Sequence, residues 1–249
     1  MKKVILLIII FLVGCEKTPI GSDDLLINEC PVPIENQIVE YKFNGNGSDS
    51  STNNLDTEII EATFDNDRFG SSNSSLNFDT SDNPSWGEID DISITQYNNV
   101  MDADNLTLYA WVNIKDKPGD YKGRPSTIMA RWDGSNNNSI FRFQVLGNGE
   151  LFLQISDDIS YTTNDSISFN EWNHVAVSFN NGNVKFYFNG ELVQEISKDV
   201  TLTQGVSHLT IGEIWMNNGY WHHFNGNLDD VGMFNKALTA CEIETLYNR

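Results

Sequence analysis

Basic residues are scarce in this chain. Lysine and arginine together number 15, against 35 aspartates and glutamates, so the formal net charge at pH 7 is −20. A surface this acidic repels phosphate, which argues against a nucleic acid partner. It also argues against anionic glycans, unless a metal ion or a local basic patch intervenes.

Long hydrophobic runs are missing as well. The apolar run from Val4 to Val13 follows Lys2 and Lys3, and about ten residues are too few for a membrane-spanning helix, which needs about twenty. A charged start followed by a short apolar run is typical of a secretory signal. The sequence Leu12-Val13-Gly14-Cys15 resembles a bacterial lipoprotein processing site. We therefore expect residues 1–14 to be a signal peptide and Cys15 to be lipidated, the alternative being an ordinary signal peptide with an incidental cysteine.

Residues 15–36 are predicted to form the lipidated cysteine and a flexible tether, because the stretch after Cys15 is polar and contains proline and glycine. Glu16, Asp23 and Asp24 resemble the surface-export signals of some outer-membrane lipoproteins. We expect an exported protein anchored by lipid to the cell envelope, at the outer membrane, with the leaflet left open.

The remaining chain has the signals of antiparallel strands. Apolar and polar residues alternate in 140–145 and 151–155, and again in 175–179, 184–188 and 191–196. The turns between them are Gly147-Asn148-Gly149, Asn181-Gly182 and Asn189-Gly190, and Asn-Gly tolerates the positive φ that tight hairpins need. A helix is predicted only at the C-terminus, where Thr239 and Glu242 have capping-box spacing; we expect it to dock on the edge of the sandwich.

Several ordered blocks resemble the laminin-G-like family of concanavalin A-like jelly rolls. They are the opening 41–47, the segments 67–70 and 76–79, the strand 106–112, the segment 172–179 and the closing 224–239. The resemblance implies that residues 37–249 form one all-β domain, an antiparallel β-sandwich jelly roll with a short C-terminal helix. The family fold hosts lectins, adhesion modules and a few enzymes, so function needs separate evidence.

Three cysteines are present, and if lipid takes Cys15, then Cys30 and Cys241 remain as a pair. An even remainder in an exported protein favours a disulfide. The resemblance also implies that the first and last strands lie together, which would bring these two cysteines close. The alternative is two separate, partly buried thiols.

One segment invites comparison with glycoside hydrolases of this fold, which carry Glu-x-Asp-x-x-Glu on one strand. Here Glu88 and Asp90 are present, but Ser93 takes the place of the second glutamate. A retaining hydrolase needs two carboxyl groups, so we expect no enzymatic activity, and a degenerate glycoside hydrolase is the least favoured alternative.

Aromatic residues in polar, loop-like surroundings are the candidate ligand site. Sugar rings stack on indole, and amide and guanidinium groups bind their hydroxyls. The predicted glycan-binding residues are Trp215, Asn217, Tyr220 and Trp221, with Arg131, Trp132 and Trp86 as partners. The alternative is that the 215–221 loop folds back and shields a sheet edge. Trp111 and Trp172 fall on core-strand patterns and are expected to be packed.

The resemblance also implies a structural calcium ion near the first loop and the closing strand. The candidate ligands are Asn44, Asp49, Asp229 and Asp230, because calcium prefers several oxygen ligands. Their alternative role is to form turns by bonding to their own backbone. His222-His223 could supply at most one metal ligand, since adjacent strand residues point to opposite faces.

Taken together, the sequence predicts a non-catalytic lipoprotein that binds a carbohydrate or glycoconjugate. The alternative is a protein–protein adhesion or assembly module at the cell surface, in which the same aromatic loop contacts a protein partner. A glycan site should be a groove, whereas a protein interface should be a flatter and wider apolar patch.

Overall fold

A computed structural model describes residues of the chain from Cys30 onward. The described residues are 30–59, 62–79, 92–94, 105–115, 123–132, 140–155, 159–200, 209–216 and 219–249. Among them, no helix is long and apolar enough to cross a membrane.

Two antiparallel sheets and a small ribbon make up the domain. The larger sheet contains β1 (Gln37–Tyr41), β2 (Thr63–Asp65), β3 (Ser75–Phe78), β5 (Asn105–Ile114), β10 (Asn173–Asn180), β11 (Asn183–Phe188), β12 (Glu191–Ser197) and β16 (Gly226–Phe234). The smaller sheet contains β4 (Ile92–Ile94), β6 (Ser126–Arg131), β7 (Phe141–Val145), β8 (Glu150–Ile155), β9 (Ile159–Ser166) and β13 (Leu209–Ile211). The ribbon consists of β14 (Ile214–Met216) and β15 (Gly219–Trp221).

The strand order confirms the predicted antiparallel jelly roll. It runs β12-β11-β10-β5-β16-β3-β2 in the larger sheet, with β1 also paired to β16, and β4-β13-β6-β7-β8-β9 in the smaller one. The hairpins β7–β8, β10–β11 and β11–β12 follow the predicted turns. Asn181 and Asn189 adopt the positive φ that those turns require.

The core lies between the sheets, because each strand turns alternate apolar residues inward. In β5 these residues are Leu106, Leu108, Ala110, Val112 and Ile114. They share one apolar cluster with the inward residues of β7 and β8, which are Phe141, Phe143, Val145, Leu151, Leu153 and Ile155. Odd-numbered residues of β5, including Tyr109 and Trp111, therefore lie on the outer face of the larger sheet.

Strand β16 lies at the centre of the larger sheet. It pairs with β5 along one edge, and its other edge is shared by β3 and β1. The register with β5 is shifted between Asp229 and Gly232, which marks a β-bulge. A Cβ at Gly232 would come within 2.3 Å of the Tyr109 ring, so this position needs glycine.

The C-terminal helix α1 (Ala240–Tyr247) begins as predicted. The Thr239 side chain accepts from the Glu242 amide and the Glu242 carboxylate accepts from the Thr239 amide, which is a complete capping box. The helix covers the outer face of the larger sheet, where Ile243 and Leu246 share a buried apolar cluster with Tyr109, Tyr187 and Phe234. The helix contacts the edge strand β12, as expected, and it also extends over the sheet face, because large apolar residues on the outward register of β5, β11 and β16 need cover.

Cys30 and Cys241 form a disulfide, as expected, across a sequence separation of 211 residues. The bond joins the segment before β1 to α1. The Thr245 hydroxyl donates to the Cys30 carbonyl at 3.0 Å and supports the same junction. The pairing of β1 with β16 brings the two ends of the domain together.

Replacing both bridge cysteines, as in Cys30→Ser with Cys241→Ser, should lower the free energy of unfolding by about 2–4 kcal/mol, because the unfolded chain loses a long cross-link. Chemical denaturation of the two proteins measures the difference. Reductant should shift the wild-type midpoint toward that of the double variant and leave the variant unchanged. Equal midpoints for wild type and variant would contradict this prediction.

Candidate functional site

A cavity of about 540 Å³ opens on the outer face of the larger sheet, beside the end of α1. Four of its lining residues are aromatic, and the other three are polar or charged. They are Arg68, Phe69, Trp111, Trp172, Tyr247, Asn248 and Arg249.

The turn between β2 and β3 places Arg68 and Phe69. One oxygen of the Asp67 carboxylate accepts from the amides of Phe69 (2.9 Å) and Ser71 (2.7 Å), and Gly70 adopts a φ of 83°. This closed turn projects Phe69 outward, with 72% of its surface exposed. The Arg68 guanidinium lies over the Phe69 ring, 4.4 Å from its centroid.

The bulge in β16 turns two consecutive carboxylates toward Arg68. Asp229 and Asp230 lie 2.6 Å and 2.8 Å from its two terminal nitrogens. Consecutive strand residues normally point to opposite faces, and here Asp230 has a φ of 44°, which breaks the alternation. The carbonyl of Arg249 accepts from the same guanidinium at 3.0 Å. Arg68 is thus held by three acceptors.

Trp111 lies at the base of the cavity in a row of paired residues. Its neighbour on β16 is Asp229 and its neighbour on β10 is His174. The Arg68 guanidinium lies 4.6 Å from the Trp111 ring centroid, and the Tyr247 ring of α1 stacks on Trp111 at 5.5 Å. His174 contacts Trp111 edge to face at 5.5 Å. Sheet, turn and helix therefore meet at one indole.

Burial governs the titration of this row. Desolvation, together with the negative charge of Asp230, raises the pKa of Asp229 to about 7, although Arg68 opposes the shift. Two carboxylates share one guanidinium here, so the second negative charge is poorly compensated. Burial likewise lowers the pKa of His174 to about 3, and the charge of Arg68 adds to that effect. His174 is therefore neutral at physiological pH.

The arrangement suits stacking and hydrogen bonding. Phe69 and Trp172 present aromatic surface at the cavity, and Asn248 offers an amide. Neither Asp229 nor Asp230 is among the described residues that line it, because both carboxylates face Arg68. The lining therefore offers aromatic stacking surface together with hydrogen-bonding groups.

A second depression, of about 420 Å³, lies between the β11–β12 hairpin and α1. It shares Tyr247 and Asn248 with the first, but Tyr247 is the one aromatic residue among its described lining, which includes Glu191 and Glu244. The first cavity offers more stacking surface for a ligand.

Two of the predicted ligand-binding residues are buried. Trp132 is 4% exposed and Arg131 is 2% exposed. Trp132 packs with Ala130 and Ile214, and the Arg142 guanidinium covers its ring at 5.1 Å. The β14–β15 ribbon packs against β6 at this point and Ile214 covers Trp132, so neither residue lies on an open surface, and their role in ligand binding stays a prediction.

The predicted aromatic loop is the β14–β15 ribbon. Trp215 pairs with Tyr220 and Ile214 pairs with Trp221 in its register. The side chains of Trp215, Tyr220 and Trp221 lie outside the described part of the structure. So do the whole residues Asn217, Trp86, Glu88, Asp90 and Cys15.

Three of the four residues predicted to bind calcium have other partners in the structure. The Asp49 carboxylate accepts from the amides of Glu40, Ser51 and Leu55 and from the Ser51 hydroxyl, at 2.6–3.0 Å. Asp229 and Asp230 bind Arg68 instead. Among the described residues, no group of three or more acidic, histidine or cysteine side chains could hold a metal ion. Asp49 thus has the turn-forming role that was the alternative, and Asn44 lies in the loop before it.

The two adjacent histidines contact different partners. His222 Nδ1 lies 3.1 Å from the Gln144 amide nitrogen, whereas His223 Nδ1 lies 3.3 Å from the buried carboxylate of Glu213. They thus have different neighbours, although both lie between β15 and β16 and not on a strand.

Trp111 and Trp172, expected to be packed, line the cavity and are both partly exposed. A signal for Trp111 was present: it falls on the outward register of a strand whose inward residues are all apolar. The sequence also contained a signal for Phe69, because a phenylalanine at the tip of the turn Asp67-Arg68-Phe69-Gly70 is exposed. No local pattern joined these segments, which come together only through β16.

Two stacked antiparallel sheets with an aromatic cavity define a protein of the lectin-like jelly-roll class. The chain belongs to the Laminin_G_3 family, described as the concanavalin A-like lectin/glucanases superfamily, whose model matches residues 86–244. No curated protein matches this chain.

Solved structures share the fold. One is of botulinum neurotoxin type C, whose cell entry depends on interaction with two ganglioside molecules (TM-score 0.60, 18% identity, 86% of this chain, 51% of that one). Another is the binding domain of Paraclostridial Mosquitocidal Protein 1 (TM-score 0.65, 16% identity, 86% and 52%). A third is the binding domain of botulinum neurotoxin DC in complex with rat synaptotagmin II (TM-score 0.59, 17% identity, 86% and 52%). The chain spans about half the length of these structures, and such low identity establishes the fold alone.

The pKa shifts predict opposing effects of pH on stability. Asp229 binds its proton more tightly in the folded state, so its contribution is present below about pH 4 and is lost as the pH rises to about 7. His174 binds its proton more weakly when folded, so its contribution is present above about pH 6.5 and is lost as the pH falls toward 3.

Asp229→Asn should therefore gain stability relative to wild type as the pH rises from about 4 to 7, whereas His174→Phe should lose stability relative to wild type over that range. Urea unfolding at several pH values measures both differences. Parallel pH profiles for wild type and the two variants would show that neither group titrates as stated.

Proposed function

We propose that this protein is a non-catalytic carbohydrate-binding lipoprotein of the cell envelope, and that the cavity beside α1 is its glycan site. The observation that carries the proposal is the convergence of Phe69, Trp111, Trp172 and Tyr247 with polar groups in one concave site. Sugar rings present C–H faces that stack on aromatic rings while their hydroxyls need polar partners.

The family and the structural neighbours support this class of ligand. The family description includes lectins, and the botulinum neurotoxin type C structure concerns ganglioside interaction. The lipid anchor is proposed from the sequence around Cys15, which also implies the outer membrane as the location. The absence of catalysis is proposed because Ser93 replaces the second glutamate of the hydrolase pattern.

A protein ligand at the cell surface is the second candidate. The complex of a neighbouring fold with rat synaptotagmin II is the observation that favours it. Phe69 is one of a few large apolar side chains that are well exposed among the described residues, and exposed aromatics often anchor protein interfaces. A concave lining of several aromatic residues fits a sugar better than a flat partner surface.

Truncating the exposed aromatics should weaken glycan binding without unfolding the protein. Phe69→Ala and Trp172→Ala are each expected to weaken glycan binding at least tenfold, roughly the loss of one stacking contact. A glycan array identifies the ligand, and calorimetry of the best glycan measures the loss. Running the array with calcium and again with a chelator tests any metal requirement.

Ile34→Ala is the matched control, because Ile34 is also an exposed apolar residue but does not line the cavity. Trp221→Ala tests the β14–β15 ribbon as the site. Binding lost only in the Trp221 variant would move the site to the ribbon. A blank array from a folded protein would favour the protein-ligand candidate, which a pull-down on surface proteins then tests.

A further inference from the structure

Both terminal nitrogens of the most buried cation of the glycan cavity are already engaged by the protein itself, whereas its Nε is buried without a hydrogen-bond partner. The terminal nitrogens of Arg68 bind Asp229, Asp230 and the Arg249 carbonyl. The two rings that flank its guanidinium, Phe69 and Trp111, occupy its flat surfaces. A carboxylate on a ligand would normally bind such a guanidinium through its two terminal nitrogens, and here both have carboxylate partners. Arg68 therefore acts as a positioning residue that contacts both Phe69 and Trp111.

The second cation of the cavity is also engaged. The Arg249 guanidinium lies 3.2 Å from one oxygen of the Glu40 carboxylate, which is 9% exposed and also accepts from the Tyr109 hydroxyl. If a ligand anion drew Arg249 away, Glu40 would lose its closest cationic partner while largely buried, which is costly. A third cation, the Lys42 ammonium group, lies 3.9 Å from the other oxygen of the Glu40 carboxylate.

The charge of the whole cluster has no positive excess. Arg68, Arg249 and Lys42 face the carboxylates of Glu40, Asp229 and Asp230, and the negative charge of Asp67 also acts on Asp229. The net charge of the chain is −20. The negative charge of an acidic ligand is therefore repelled both by this cluster and by the protein as a whole.

We propose that the cavity selects uncharged saccharides and discriminates against glycans that carry carboxylate or sulfate groups. This inference rests on the proposed glycan-binding function and specifies its ligand class. The guanidinium of Arg68 supports the aromatic surface on which the ring of a neutral sugar stacks. The hydroxyls of the sugar bind the polar side of the cavity at Asn248.

The test compares matched oligosaccharides that differ only in one terminal acidic group. An array carries each glycan with and without sialic acid or sulfate, and calorimetry follows for the best pair. The neutral member should bind at least tenfold more tightly, and the preference should grow at low ionic strength because screening falls.

Asp230→Asn is the informative variant. Asparagine tolerates the positive φ at this position. The substitution replaces a carboxylate by a neutral amide, so Arg68 keeps one carboxylate partner instead of two. The preference for the neutral member should fall several-fold in this variant. Glu195→Gln is the matched control, because it also removes one negative charge, from an ion pair with Lys185 that lies outside the cavity lining. The preference of this variant for the neutral glycan should equal that of wild type.

The outcomes separate the two claims. Tighter binding of the acidic member, or equal binding of both members, overturns the inference and leaves the glycan-binding function standing. A folded protein that binds neither member of any pair refutes the proposed function and the saccharide class with it. Equal changes of preference in Asp230→Asn and Glu195→Gln would assign the selectivity to overall charge and overturn the role given to this cluster.

Discussion

The pairing of β16 between β5 on one edge and β3 and β1 on the other holds the two ends of the domain in one sheet. The first strand and the last strand are thus neighbours, and α1 folds back over the outer face just after β16 ends. The Cys30–Cys241 disulfide closes the same junction covalently. The helix, the disulfide and the turn that carries Arg68 all depend on where β16 lies.

A local irregularity in that strand gives the outer face its chemistry. The bulge after Asp229 breaks the alternation of a regular strand, so two adjacent carboxylates reach one guanidinium. Breaking such a buried ion cluster leaves uncompensated charge, so its parts are mutually dependent. The bound Arg68 then covers Trp111 and supports Phe69. A bulge is thereby linked to the aromatic surface proposed as the binding site, and bulges often occur near functional sites.

The charges of this cluster hold the Arg68 side chain in position. Asp229 is 3% exposed and carries a raised pKa, while its partner Arg68 has its terminal donors occupied. An arginine at the base of a cavity often marks an anion site, but an arginine whose fork is filled by the protein's own acids does not. The residue type alone would predict an anionic ligand at this cavity, whereas the ligand that we propose is uncharged.

Much of the fold follows from the sequence, and much of the site does not. Strand alternation, the Asn-Gly turns and the capping box at Thr239 are local signals, and the structure confirms the elements they predicted. The cavity joins Arg68, Trp111, Trp172 and Tyr247, which lie far apart in the chain, and no local periodicity encodes their proximity. The burial of Trp132 also depended on a distant neighbour, Ile214.

The sequence by itself determined the sheet-forming segments, the helix cap and the acidic charge, because these depend on neighbouring residues and on composition. Tertiary structure alone decided which tryptophans face solvent and which carboxylates meet Arg68. The physical reason is that exposure and ion pairing depend on what packs against a residue from other strands.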